Sequence, residues 1–123
     1  MIAKTKKLIN SFKYAFTGIA TSFKTERNMK IHVLIMILVI IAGIVFKVSL
    51  LDWIILVIMF GLVISAELFN TALETIVDMI TMEKNEKAKV AKDVAAGAVL
   101  VLAIASVVIG LIIFIPKILN FIK

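Results

Sequence analysis

Glu67, Asn70, Thr71, Glu74 and Asp78 recur at i, i+3, i+4, i+7 and i+11 in the run from Ser65 to Asp78. On a helix turning about 100° per residue they share one face. Leu68, Phe69, Ala72, Leu73, Ile76 and Val77 take the others. A carboxylate at membrane depth costs at least about 2.5 kcal/mol, so such groups persist where function or tight pairing compensates. Three carboxylates beside an amide offer oxygen ligands to a hard cation such as Mg²⁺, which usually arrives partly coordinated by phosphate. A carboxylate not used as a ligand can accept a hydroxyl proton, its basicity raised by partial burial. Glu26 and Asp93 extend the acidic set from neighbouring segments, and Lys92 is placed to meet a phosphate. Phosphoryl transfer needs mostly positioning and charge neutralisation, and these residue types supply both. Two other readings of the stripe stay open on the residues alone. Glu67, Asn70 and Thr71 also suit interhelical hydrogen bonding in an oligomer, or a proton or cation path. Asp78 and the charges from Glu83 to Lys89 also suit interfacial solvation.

The elements that carry this stripe belong in a bilayer. The chain is 63% hydrophobic over 123 residues, with mean hydropathy +1.15. A soluble domain lies nearer half apolar. The excess is gathered into long runs, which predicts one all-α integral membrane domain over 1–123. With no cysteine and the single His32, thiolate and His-rich metal sites are excluded. Any metal must be held by oxygen. The formal charge of +6 sits in segments flanking the apolar runs, a membrane pattern rather than a nucleic-acid one.

Residues 1–30 carry seven basic residues and one acid, Glu26. Leu8, Ile9, Phe12, Ala15, Phe16, Ile19 and Phe23 share a helical face opposite Lys6, Lys13 and Lys24. This predicts an amphipathic surface helix lying in the headgroup layer. The basic N-terminus is expected to be retained, because no small-residue cleavage site follows it. Transmembrane helices are predicted over about 31–51, 52–81 and 94–115. The first is almost purely aliphatic, with Lys47 snorkelling at its far end. Trp53 is an interfacial anchor at the start of the second. Pro116 is expected to end the third. The charged loop from Glu83 to Lys89 joins the last two. Ala95, Ala96, Gly97 and Ala98 form a small-residue patch that permits close helix packing. Eleven Lys/Arg flank the N-terminal side and the 83–93 loop, against Lys47, Lys117 and Lys123 opposite. The positive-inside rule then places the N-terminus and the polar stripe on the cytoplasmic side of the cell membrane, with the C-terminus outside.

The familiar nucleotide motifs G-x-x-x-x-G-K-[ST] and G-x-G-x-x-G are absent, so any ATP site is unconventional. Glu67-Leu68-Phe69-Asn70-Thr71-Ala72-Leu73-Glu74-Thr75-Ile76-Val77-Asp78 nevertheless resembles the signature of the small prokaryotic diacylglycerol kinase family. Ala91-Lys92-Asp93-Val94-Ala95-Ala96-Gly97-Ala98 resembles its second motif, and Thr25-Glu26-Arg27-Asn28 a third block. The three lie in family order across nearly the whole chain. The resemblance implies three transmembrane helices plus an N-terminal surface helix, assembled as a homotrimer with shared sites. It implies ATP- and Mg²⁺-dependent phosphorylation of a lipid alcohol. Carried over, Glu67 is the general base and Glu26 and Glu74 the metal ligands. Asn70 belongs to the same site, with Asp78 supporting. Lys92, Asp93, Glu83, Lys84, Asn85, Tyr14 and Lys7 lie toward the nucleotide, Lys7 standing where some members have Arg. Phe12 and Phe16 would face the lipid substrate from the surface helix. The Thr-Glu-Arg-Asn and Asp-Val-Ala-Ala-Gly-Ala blocks look like the Gram-positive branch. That implies undecaprenol as acceptor, with diacylglycerol as the alternative and a small non-enzymatic membrane subunit as a reading of another class.

Overall fold

The computed structural model describes residues 1–123 as four helices: α1 (Ile2–Thr25), α2 (Arg27–Val45), α3 (Leu50–Ile80) and α4 (Glu86–Ile122). The last three are long and apolar enough to cross a membrane. Of 104 backbone hydrogen bonds, 94 lie inside helices, as hydrocarbon requires, since it offers the backbone no other partner.

Each break in the chain has a local cause. Glu26 adopts an extended conformation (φ −106°, ψ 117°) between α1 and α2. Its N–H still donates to the Ser22 carbonyl at 2.9 Å, so α1 closes normally before the chain turns. The first predicted span thus belongs to a helix starting at Arg27, and the N-terminal helix ends at Thr25. At the other end of α2, Lys47 takes φ 52°, an uncommon left-handed conformation for a residue with a side chain. Lys47 lies in a tight turn beyond the helix rather than within it. Ser49 then starts α3 through a capping box. Its hydroxyl accepts from the Asp52 N–H at 3.1 Å, and Asp52 accepts in return from the Ser49 N–H at 3.4 Å.

The predicted loop from Glu83 to Lys89 shrinks. Asn85 caps α4 by accepting from the N–H groups of Lys87 at 2.9 Å and Ala88 at 3.2 Å. Helix therefore begins at Glu86, eight residues before the predicted span. At its far end Pro116 does not terminate α4, which runs on to Ile122. Proline removes one N–H donor, but helix-forming apolar residues continue on both sides, and in lipid an unwound segment would leave far more backbone unpaired.

Packing is led by α3 against α4. Val48, Leu56 and Ile113 form a small core with Trp53, Phe60 and Phe114 around it. Trp53 is more than an interfacial anchor: a Cβ at Gly43 would lie 2.6 Å from its ring, so glycine lets α2 approach α3. Only 12 of 123 residues are buried in the single chain. Its remaining apolar surface must face lipid or other copies.

Candidate active site

The polar stripe of α3 is turned inward at its N-terminal end. Glu67 has no exposed surface and Asn70 is 5% exposed. The Asn70 amide donates to Glu74 Oε1 at 3.1 Å, one turn further along. Thr71 donates to the Glu67 carbonyl at 3.0 Å, and its hydroxyl lies 2.9 Å from that of Ser22, the one buried residue of α1. That contact fixes the end of α1 against α3. It brings the extended residue Glu26 beside Glu74. Burial, with the neighbouring Glu74 and Glu67 carboxylates adding to it, pushes the Glu26 carboxyl above its ordinary range.

Neither oxygen of the buried Glu67 carboxylate has a hydrogen-bond partner, nor does Asn70 Oδ1. His32 of α2 stands close by, its Nε2 3.8 Å from Glu67 Oε2. These groups line a cavity of about 320 Å³ shared by Asn28 and His32 of α2, Glu67 and Asn70 of α3, and Ala96 and Val99 of α4. His32 also lines an adjoining apolar cleft of about 390 Å³, walled by residues including Val39, Met59, Phe60, Ala103 and Phe114.

The arrangement fits a metal-assisted reaction at one particular point. Nowhere do three or more His, Asp or Glu side chains converge to hold an ion unaided. Glu26 and Glu74 instead form a crowded pair of carboxylates whose repulsion a divalent cation would relieve. Mg²⁺ suits such a two-carboxylate site because it completes its coordination with water and phosphate oxygens.

Other residues singled out from the sequence lie elsewhere. Lys92 is engaged with Asp78 at 2.6 Å, joining α4 to α3. Asp93 pairs with Lys89 at 2.6 Å along α4. Both pairs are substantially exposed, so they are worth little and can exchange partners. Glu83 and Lys84 are exposed in the α3–α4 connection, and Asn85 is committed to its cap. Lys7, Phe12, Tyr14 and Phe16 are exposed along α1, and none makes a polar contact with another helix. Sequence reasoning passed over His32, Asn28 and Ser22 as site residues. His32 and Asn28 are four apart on α2, a helical-face signal masked because Asn28 lies before the apolar run that begins at Ile31.

The sequence model of the family "prokaryotic diacylglycerol kinase" matches residues 13–114. The undecaprenol kinase of Bacillus subtilis (strain 168) is 43% identical over 111 residues, covering 90% of each chain. A diacylglycerol kinase of Synechocystis sp. is 40% identical over 114 residues, covering 92% of this chain and 65% of the relative. The diacylglycerol kinase of Haemophilus influenzae is 32% identical over 108 residues, covering 87% and 92%.

Proposed function

The chain belongs to the prokaryotic diacylglycerol kinase family and is a lipid kinase; we propose that its acceptor is undecaprenol, phosphorylated by Mg-ATP at the cavity beside Glu67. The non-enzymatic reading of the polar stripe is set aside by that membership. The observation that carries the site assignment is a fully buried carboxylate with both oxygens free, on the wall of a cavity between three apolar helices.

In this reading Glu67 takes the proton of the lipid hydroxyl. The hydroxyl oxygen forms a bond to the terminal phosphorus of ATP as the bond to the bridging oxygen breaks and ADP leaves. Glu26 and Glu74 would hold Mg²⁺, which when bound would neutralise phosphate charge. Asn70 keeps the Glu74 carboxylate oriented through its 3.1 Å bond, and Asp78 supports the same face. Lys92 exchanges Asp78 for phosphate. Asp93, Glu83, Lys84, Asn85, Lys7 and Tyr14 line the nucleotide side. Phe12 and Phe16 rest in the interface, where α1 lies along the membrane surface and guides the lipid. The protein works as a homotrimer with shared sites, its N-terminus and site cytoplasmic and its C-terminus outside.

Undecaprenol is favoured over diacylglycerol by the similarity to the Bacillus enzyme and by the Gram-positive form of two sequence blocks. The two diacylglycerol kinase relatives make diacylglycerol the second reading. The test is ATP consumption by the purified protein with each lipid in turn. The expected kcat/KM is higher for undecaprenol by about tenfold or more. A reversed ratio transfers the assignment to diacylglycerol, and no lipid-dependent turnover overturns the kinase site.

A further inference from the structure

An ionised carboxylate with no exposed surface needs a donor, because an unpaired buried charge is strongly disfavoured. Around Glu67 the candidates are few. The Asn70 amide lies beside it, with one of its two N–H groups committed to Glu74 Oε1. The Thr71 hydroxyl is shared between the Glu67 carbonyl and Ser22. On the α4 wall of the cavity, Ala96, Val99, Leu100 and Ala103 offer no side-chain donor. Two side chains of α2 reach the same cavity, Asn28 and His32, and His32 brings its Nε2 to 3.8 Å from Glu67 Oε2. That is too long for a hydrogen bond, but catalytic contacts are often loose before substrate binds and tighten when it does.

We propose that His32 is a positioning residue for Glu67: its Nε2–H donates to Oε2 in the loaded site and leaves Oε1 turned toward the lipid hydroxyl. The assignment rests on the reading of Glu67 as general base. His32 acts through Glu67 and takes no proton itself. The O–H proton of the lipid passes to Glu67 Oε1, while the bond from Nε2 to Oε2 stays a hydrogen bond throughout. The location of His32 supports this role. It is 17% exposed and lines both the polar cavity and the apolar cleft. A ring there can fix the base at the point where an apolar path meets the polar site.

The test compares His32→Leu, which removes the donor, with His32→Gln, which keeps an N–H at similar reach. Both are assayed in the purified full chain with undecaprenol and diacylglycerol as probes. His32→Leu is expected to lower kcat by about 10- to 100-fold, while KM for ATP and for lipid stays within about threefold. His32→Gln is expected to restore at least about a third of the lost rate. A structural role would depress both variants alike and lower thermal stability with them, and that result overturns the proposal. A loss confined to lipid KM overturns it too, by making His32 a lipid contact. If His32→Leu does not fold, His32→Asn replaces it, since its shorter amide falls short of Oε2. An Asn variant as active as Gln overturns the assignment. Wild-type protein without lipid-dependent turnover sinks the kinase site along with it. Active wild-type protein with an unaffected His32→Leu variant sinks the positioning role alone.

Discussion

Glu67 and Glu26 are both carboxyls in crowded surroundings, and their environments suit them to different tasks in the proposed reaction. Glu67 faces the cavity with unbonded oxygens, so its replacement by glutamine keeps shape and removes basicity. Glu67→Gln is expected to lower kcat by about 10²–10⁴-fold, with nucleotide binding retained. A variant keeping more than about a tenth of wild-type kcat would rule out the base role. Glu26 is pushed up chiefly by burial and next by Glu74, and the sign of its pH dependence follows. The folded chain without metal holds this proton to higher pH than the unfolded chain does. Its stabilising contribution is therefore complete below the unfolded pKa and is lost as pH rises through the raised folded value. Bound cation reverses the preference, because the ligand must be ionised. Apparent Mg²⁺ or Mn²⁺ affinity is expected to fall as pH drops through that raised range, and Glu26→Gln should flatten the dependence while weakening the metal. Metal titrations at descending pH give the answer, and parallel curves for wild type and variant would remove Glu26 from the metal site. Glu67, Asn70 and Glu74 were legible as one face because helical periodicity needs only the sequence. Ser22 against Thr71, and His32 against Glu67, were not, since each contact joins two helices whose relative rotation no local pattern encodes.

At the scale of elements, apolar runs made the helices legible and their ends less so. The runs mark where lipid lies, whereas caps mark where the backbone stops. Asn85 starts α4 well before its apolar stretch, and a proline inside lipid-facing sequence carried less weight than the residues around it. The approach of α2 to α3 depends on a single missing side chain. A methyl group at Gly43 would meet the Trp53 ring at 2.6 and 2.8 Å. The ring packs against the Val48, Leu56 and Ile113 core, so the ring or one of the helices has to shift. Gly43→Ala is expected to destabilise the fold by about 1–3 kcal/mol. The matching Gly61→Ala change meets nothing within 4 Å and serves as the control. Thermal unfolding in detergent reads the difference. Equal melting temperatures for the two variants would show that the close approach carries no energetic weight.

The whole molecule is framed by ion pairs at both ends of its main helix pair. Lys92 meets Asp78 at one end, and Lys117 lies 3.9 Å from Asp52 at the other. The 26 residues from Asp52 to Asp78 span about 39 Å at 1.5 Å per residue, enough to cross a hydrocarbon core of about 30 Å with both carboxylates in the headgroup layers. On that ruler Glu74 lies about 6 Å from the Asp78 level and Glu67 about 16 Å from it. The stripe therefore runs from a headgroup layer toward the bilayer centre. A phosphate donor in water and an alcohol anchored in hydrocarbon can meet along it only if the Asp78 end faces the compartment that holds ATP. The distribution of charge supports the proposed orientation: the segments at the Asp78 end carry eleven of the fourteen Lys and Arg residues. A cysteine appended after Lys123, in a chain with no cysteine of its own, is expected to react with an impermeant maleimide on intact cells. A cysteine placed before Lys4 should react only after the membrane is opened. The opposite labelling pattern would turn the Asp78 end away from ATP, and the carboxylates of α3 would then have to serve something other than phosphoryl transfer.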